Sequence, residues 1–197
     1  GKHNNWSIAT DKGENLFAPG KTPGQNAQFL LFLTAVIKAV DDHQDLLRAI
    51  VASAGNDHRL GANEAPPAIM SIYVGDELEA ILNSIKEGKA YSDKTNKKLS
   101  IGVDVLPPIP KDSTDRNRTS PFAFTGNRFE FRSVGSNLSI SGPNTILNAI
   151  LADTLAIFAD ELETAPDFEK ALPELIKREI TLRHRILFNG NGYGEEW

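Results

Sequence analysis

A five-residue segment late in the chain, Arg-Phe-Glu-Phe-Arg at 128–132, alternates charged and aromatic residues. In an extended strand this period puts Arg128, Glu130 and Arg132 on one face and the phenylalanines on the other. At about 3.3 Å per residue, the three charged side chains span roughly 13 Å. Two cations that flank a carboxylate at this spacing could hold a metal ion and the anions around it. The alternative is a half-buried strand whose charged face is simply solvated, which is common in antiparallel sheets.

The composition is that of an ordinary globular protein. The chain has 197 residues, of which 40% are hydrophobic and 24% charged, enough for one large domain or part of a larger one. A net charge of −5 provides no basic surface for nucleic acid or an anionic membrane. The absence of cysteine excludes disulfides, thiolate zinc sites and a cysteine nucleophile.

Nothing in the sequence predicts a membrane location. No apolar run approaches the roughly 20 residues of a membrane helix, and the start carries no signal-peptide pattern. A cytoplasmic protein is therefore expected. The chain opens on Gly1 without a methionine and stops just after the glycine-rich turn at 189–192, so we expect a piece excised from a longer polypeptide.

The elements that must position these side chains predict an α+β fold, with helices flanking an antiparallel sheet. Besides the strand at 128–132, strands are predicted at 6–9, 68–74 and 100–106, with a turn at 10–13. Helices are predicted from Thr22-Pro23 (a capping hydroxyl and a first-turn proline) to residue 40, and at 46–55, 76–87, 143–158 and 168–188. The helices are expected to cover one face of the sheet. Three arginines of the last helix are predicted to form a solvated face rather than an interface: Arg178, Arg183 and Arg185.

The segment at 55–67 gathers glycines and prolines around Arg59 and Glu64 and is predicted to be an irregular loop. Loops that combine charge with flexibility often carry function, although a surface connection with solvated charges is the alternative. Neither GxxxxGK[ST] nor GxGxxG after a strand is present, so the common phosphate-binding loops are absent.

Three separated blocks resemble motifs of glutamine synthetase, specifically its large type III form. Residues 1–7, GKHNNWS, resemble the end of NGSG-x-H-x-x-x-S, and residues 56–66, NDHRLGANEAP, resemble N-S-Y-K-R-L-V-P-G-Y-E-A-P. NRTS at 117–120 followed by RFEFR at 128–132 resembles N-R-S followed by R-x-E-x-R. The blocks stand in the family's chain order and span most of the chain.

The resemblance implies that residues 1–197 are part of a catalytic domain with the glutamine synthetase/guanido kinase-like fold. Residues 68–110 would be an insertion relative to shorter forms, and residues 166–197 a C-terminal helical extension. It also implies a ring-shaped homo-oligomer, a dodecamer. From the net charge and the lack of a long apolar run, no nucleic-acid or membrane partner is expected.

The resemblance implies a metal and nucleotide site. His3 and Glu130 fall where the family binds the metal that bridges the nucleotide phosphates, and an imidazole with a carboxylate suits Mg²⁺ or Mn²⁺. Ser7 and Arg128 fall at nucleotide-contact positions for ATP. Arg118 falls at a phosphate-contact position and would stabilise the phosphoryl group in transfer.

The resemblance also implies a substrate site. Arg59 and Arg132 fall where the family grips the carboxylates of glutamate, a task that suits the planar guanidinium group. Glu64 falls on a mobile flap, where it would exclude water and accept a proton from the ammonium adduct.

The chain departs from the family pattern at three places. One residue fewer separates Arg59 from Glu64, Phe122–Phe124 replace an expected second arginine, and Asn5 replaces a second histidine. The nucleotide pocket is therefore expected to differ in detail from that of commoner forms.

The implied activity is ATP-dependent ligation of ammonia to L-glutamate through γ-glutamyl phosphate, with the 197-residue piece inactive alone. One alternative is a related ligase that joins a bulkier amine to glutamate. The other is a non-catalytic regulatory or assembly module of the same fold, which would be expected to carry broken motifs.

Overall fold

The alternating segment forms an interior strand of a four-stranded sheet in a computed structural model that describes residues 1–62, 65, 68–88, 120–192 and 194–195. The strands are β1 (Lys2–Trp6), β2 (Ile72–Tyr73), β3 (Phe122–Phe124) and β4 (Phe129–Val134). They lie in the order β1-β4-β3-β2. The strand predicted at 100–106 lies outside the described residues.

The sheet is mixed, so the prediction of an antiparallel sheet was wrong in this respect, while the α+β organisation is confirmed. β4 pairs antiparallel with β1 and with β3, but β2 runs parallel to β3. Parallel pairing requires a crossover connection of about a dozen residues or more. The long connection from β2 to β3, which includes a helix, provides it.

Two of the predicted strands have different bounds in the structure. β1 begins and ends earlier than residues 6–9, and β2 is a short part of the predicted 68–74. The turn at 10–13 is confirmed, since the amide of Gly13 donates to the carbonyl of Thr10 at 2.9 Å. β3 and β4 form a hairpin that turns at Gly126, whose φ of 94° is readily adopted only by glycine.

The described residues contain six α-helices: α1 (Ala27–Asp42), α2 (Gln44–Ala49), α3 (Ala54–Arg59), α4 (Asp76–Lys86), α5 (Ser141–Thr164) and α6 (Phe168–Arg183). Short 3-10 turns at Pro23–Gln25 and His184–Ile186 precede α1 and follow α6. None of these helices has the length and apolarity needed to cross a membrane.

Two helix starts differ from the prediction because asparagine and serine side chains cap them. Asn26, rather than Thr22, caps α1, and its Oδ1 accepts from the amide of Phe29 at 3.1 Å. The segment predicted as a loop from residue 55 begins as α3, because Ser53 Oγ accepts from the amide of Asn56 at 3.2 Å. Such a cap stabilises a helix by about 1 kcal/mol.

The aromatic face of β4 forms the centre of the core. Phe129 is fully buried and stacks on Phe122 at a ring distance of 4.8 Å, with Phe17 and Phe124 at 5.2 and 5.3 Å. Full burial of one phenylalanine contributes about 2–3 kcal/mol. The ring centres of Phe29, in α1, and Phe124 are 5.8 Å apart. A helix therefore covers this face of the sheet, as predicted.

The prediction of a solvated face is confirmed for Arg178 and Arg185, whose side chains are 46% and 69% exposed, and was wrong for Arg183, which is 21% exposed. All three arginines are ion-paired within the described part of the chain. Arg183 Nη1 and Arg185 Nε lie 3.1 and 3.0 Å from the carboxylate of Asp41, whose side chain is fully buried in α1. Arg178 forms a bidentate ion pair with Glu161 of α5, in which Nη1 donates to Oε1 at 2.7 Å and Nη2 to Oε2 at 2.8 Å. These contacts attach α6 to the helices beneath it.

Candidate functional site

The first strand and β4 lie side by side, which brings the two predicted metal ligands together. Asn5 pairs with Glu130, and His3, two residues earlier, lies on the same face as Asn5. The pairing register shifts between Lys2 and Asn4, and a bulge of this kind re-aims the side chain within it. His3 Nδ1 lies 3.9 Å from Glu130 Oε2.

This pair fits part of a divalent metal shell. Ligands at about 2.1 Å from an octahedral ion lie about 3.0 Å apart when adjacent and about 4.2 Å apart when opposite. The observed 3.9 Å lies within that range. The described residues bring together no group of three histidine, aspartate or glutamate side chains, so phosphate oxygens and water would have to supply further ligands.

The carboxylate of Glu130 is held by Arg132 on the same strand face. Arg132 Nε donates to Glu130 Oε2 at 3.1 Å, and the side chain of Arg132 is 1% exposed against 17% for Glu130. The interpretation of this strand as a charged face that is simply solvated was therefore wrong for Arg132. A charge-assisted hydrogen bond of this kind fixes the direction of the carboxylate.

The other face of β1 is anchored to α5, and this anchoring directs the site residues outward. Asn4 Nδ2 donates to Asn144 Oδ1 at 2.8 Å, and Trp6 Nε1 donates to Asn148 Oδ1 at 2.9 Å. Residues 4 and 6 of the strand therefore point to the helix. Because side chains alternate along a strand, His3 and Asn5 point the opposite way.

Ser7 and Arg128, the two predicted nucleotide contacts, line one cleft of about 230 Å³. The remaining lining residues are Asn5, Trp6, Asn15 and Asn127. Asn15 Nδ2 donates to the carbonyl of Asn127 at 2.8 Å, and Arg128 Nε donates to Asn127 Oδ1 at 3.0 Å. The hairpin end is thus tied to the segment after β1, and the cleft reaches the strand position that pairs with Glu130.

Arg59 ends α3 beside the end of β4. Its Nε and Nη2 donate to Asn56 Oδ1 at 3.1 and 2.9 Å, and Nη2 also reaches the carbonyl of Val134 at 3.4 Å. Asn56 was not predicted to matter, although it is the first residue of the block that resembles N-S-Y-K-R-L. Its position three residues before an arginine on a helix was the available signal.

Two predicted site residues, Glu64 and Arg118, lie outside the described residues, so their roles stay predictions. The place of the expected second arginine is described, and its phenylalanines belong to the core: Phe122 is 0% and Phe124 6% exposed. Ala123 between them pairs with Glu130 and therefore shares its face. Ala123 is fully buried, so none of these three residues supplies a cation to the face of Glu130.

The whole chain aligns with known proteins of similar sequence. It is 52% identical over 200 residues to the type-3 glutamine synthetase of Dictyostelium discoideum, with 100% of the chain and 27% of that protein aligned. It is 50% identical over 204 residues to a glutamine synthetase of Bacteroides fragilis (strain YCH46) and 49% identical over 209 residues to one of Butyrivibrio fibrisolvens. The chain, all of which aligns, spans 28% of the length of each of these two. No family model matches the chain.

Proposed function

Because the chain belongs to the glutamine synthetase family, we propose that the protein of which it is part joins ammonia to L-glutamate, with cleavage of ATP to ADP and phosphate. The observation that carries the proposal is identity of about 50% over the whole chain to glutamine synthetases. The described site residues are of the chemical types that this reaction requires.

The reaction must activate a carboxylate, which is a poor electrophile. The γ-phosphoryl group of ATP is transferred to the side-chain carboxylate of glutamate, which forms γ-glutamyl phosphate and ADP. Ammonia then attacks the carbonyl carbon, the C–O bond to phosphate breaks, and the ammonium adduct loses a proton to give glutamine. Since two anions must approach each other, positioning and charge neutralisation provide most of the catalysis.

His3 and Glu130 would hold Mg²⁺ or Mn²⁺, and their 3.9 Å separation supports this assignment. The chemistry that the ion supplies when bound is neutralisation of phosphate charge during transfer. Ser7 and Arg128 would contact the nucleotide, and their position in one cleft supports it. Arg118 would stabilise the phosphoryl group as it moves.

Arg59 and Arg132 would bind the carboxylates of glutamate. The hydrogen bond from Arg132 to Glu130 supports a direct link between the position of the substrate and that of the metal. Glu64 would accept the proton released from the ammonium adduct and, on a closing flap, would protect the acyl phosphate from water. The assembly proposed is a ring-shaped homo-oligomer, a dodecamer.

The test is a steady-state assay of the full-length enzyme with ATP, Mg²⁺ and glutamate, in which ADP release and product are both measured. A panel of ammonia, methylamine, hydroxylamine and larger amines is supplied in turn. We expect glutamine from ammonia, with one ADP per glutamine. ADP release that depends on a larger amine would instead identify a γ-glutamyl-amine ligase, and no ADP release with any amine would identify a non-catalytic module.

A further inference from the structure

Asn56 is buried, with 5% of its surface exposed, and its side-chain amide connects three parts of the chain. Its Nδ2 donates to the carbonyls of Val51 and Ser133 at 2.7 and 2.8 Å. Its Oδ1 accepts from both Nε and Nη2 of Arg59. An asparagine amide has two N–H donors and an oxygen with two lone pairs, so its full hydrogen-bonding capacity is used.

These partners determine how the amide is oriented. If its oxygen and nitrogen were exchanged, the NH₂ group would face a guanidinium and the oxygen would face two carbonyls. The side chain therefore has one orientation, and it presents an acceptor to Arg59. The carbonyl of Ser133 immediately follows Arg132 in β4, so the amide connects α3 to the strand that carries Glu130 and Arg132.

The nitrogens of the Arg59 guanidinium have different surroundings. Nε and Nη2 face the scaffold, through Asn56 Oδ1 and the carbonyl of Val134. Within the described part of the chain, Nη1 makes no hydrogen bond of its own. A guanidinium held at Nε and Nη2 is suited to receive a carboxylate without first losing side-chain freedom.

The chain start lies close to the same guanidinium. A Cβ added to Gly1 would be 2.5 Å from Arg59 Nη1 and 2.8 Å from Cζ, distances that require one group to move. A long arginine side chain could ordinarily swing away. Here Asn56 holds it from the opposite side.

We propose that Asn56 is a positioning residue for the amino-acid substrate, which locks the guanidinium of Arg59 to the end of β4 before glutamate binds. The inference rests on the proposed function, in which Arg59 binds a carboxylate of glutamate. Asn56 itself does not touch the substrate. Its effect on glutamate must therefore pass entirely through Arg59.

The test is a double-mutant cycle in the full-length enzyme, with KM for glutamate, KM for ATP and kcat measured for Asn56→Ala, Arg59→Ala and the double variant. Ordering a long side chain on binding corresponds to roughly a threefold to tenfold change in affinity. We expect Asn56→Ala to raise the glutamate KM by about that factor with little change in the ATP KM. In the Arg59→Ala background, the same substitution should have no further effect on the glutamate KM.

A second variant separates positioning from folding. Asn56→Asp loses the two N–H donors, as Asn56→Ala does, but keeps an oxygen acceptor for Arg59. We expect Asn56→Asp to keep a near-normal glutamate KM even though its thermal unfolding temperature falls. The matched control is Asn83→Ala, which removes an asparagine contact to His184 at 2.7 Å and should leave the glutamate KM unchanged.

The outcomes distinguish failure of the substrate role of Arg59 from failure of the positioning role of Asn56. If Arg59→Ala leaves the glutamate KM unchanged, the substrate role of Arg59 fails, and this part of the proposed function fails with it. If Arg59→Ala raises that KM but Asn56→Ala does not, the positioning role is overturned. It is also overturned if the two effects multiply, or if Asn56→Asp is as impaired in glutamate KM as Asn56→Ala.

Discussion

A single carboxylate oxygen, Oε2 of Glu130, lies between a histidine and an arginine. His3 Nδ1 is 3.9 Å away and Arg132 Nε is 3.1 Å away. The arginine is buried, whereas half of the histidine side chain is exposed. The carboxylate is therefore fixed by a buried guanidinium on its own strand face and lies beside a half-exposed imidazole. In the proposed function, this arrangement would position a metal ligand before the ion binds.

Replacement of this carboxylate provides the test at the scale of one residue. We predict that Glu130→Ala in the full-length enzyme weakens binding of the metal–nucleotide complex and lowers the rate of glutamine synthesis by about 100-fold or more, because a ligand charge is lost. Titration of Mg²⁺ with a nucleotide analogue and a steady-state assay measure the two effects. Glu130→Gln, which can still accept from Arg132, is the control for loss of the hydrogen bond. Unchanged nucleotide affinity in both variants would contradict the metal role.

At the scale of elements, one buried acid of α1 receives two arginines from the end of α6 and the turn after it. The carboxylate of Asp41 is fully buried and receives Arg183 and Arg185 from a segment more than 140 residues later in the chain. In contrast, the pair of Arg178 with Glu161 is 46% and 38% exposed. Hydrogen bonding to Arg178 lowers the pKa of Glu161, but solvent screens a pair of this exposure.

The two ion pairs should therefore differ in their effect on stability. We predict that Asp41→Asn lowers the free energy of unfolding by about 2 kcal/mol, because it removes a fully buried charge while Arg183 keeps Asp42 and Glu179 as partners. Glu161→Gln, the exposed counterpart, should cost under about 1 kcal/mol. Urea denaturation at constant m-value compares the two. Equal losses would show that burial does not decide the strength of these pairs.

The contact between α4 and the turn after α6 predicts a dependence of stability on pH. His184 Nε2 lies 2.7 Å from Asn83 Oδ1, and burial lowers the pKa of His184, aided by Lys86 and opposed by Glu79. Because its pKa is lower in the folded state, the unfolded chain binds the proton more readily. Stability should then decrease as the pH falls through about 6.5, the usual histidine value, and level off below the folded pKa.

We predict that His184→Gln reduces this loss. Thermal unfolding at pH 7.5, 6.5 and 5.5 for the wild type and the variant measures it. The variant should show the smaller decrease between the highest and lowest pH. A decrease of the same size in both proteins would show that other groups titrate in this range.

At the scale of the whole molecule, the described site gathers residues from three separated segments. His3 and Ser7 come from the chain start, Arg59 from the end of α3, and Glu130 and Arg132 from β4. The chain spans 27–28% of the length of its glutamine synthetase relatives. The groups described here supply two metal ligands and two substrate-binding arginines in the proposed mechanism, which is only part of a synthetase site.

This partial site leads to a prediction for the chain in isolation. The purified 197-residue chain should form no glutamine from ATP, glutamate and ammonia, whereas the full-length enzyme should. A coupled assay of ADP release and a chromatographic assay of glutamine make the comparison. Glutamine formation by the chain alone would show that these residues suffice for catalysis.

Much of the local structure follows from residue patterns. The alternation at 128–132 predicted that Phe129 and Phe131 would share one face of the strand, and both are buried in the core. The stripe at 76–87 predicted α4 to within one residue of its observed end. Both patterns succeed because burial of apolar side chains on one face is a local, periodic signal. The cap of α1 was misplaced because Thr22 and Asn26 are both suitable caps, and only Asn26 makes a side-chain capping hydrogen bond.

The sequence by itself determined which chemical groups are available and in what order: a histidine and a serine near the start, an arginine at residue 59, and a charged strand. The tertiary structure decided which of them meet. It joined Arg59 to the end of β4 through Asn56 across 77 residues, turned β2 parallel to β3, and paired Arg183 and Arg185 with the buried Asp41. Contacts at such separations leave no trace in local periodicity, because they depend on how whole elements pack rather than on the spacing of neighbouring residues.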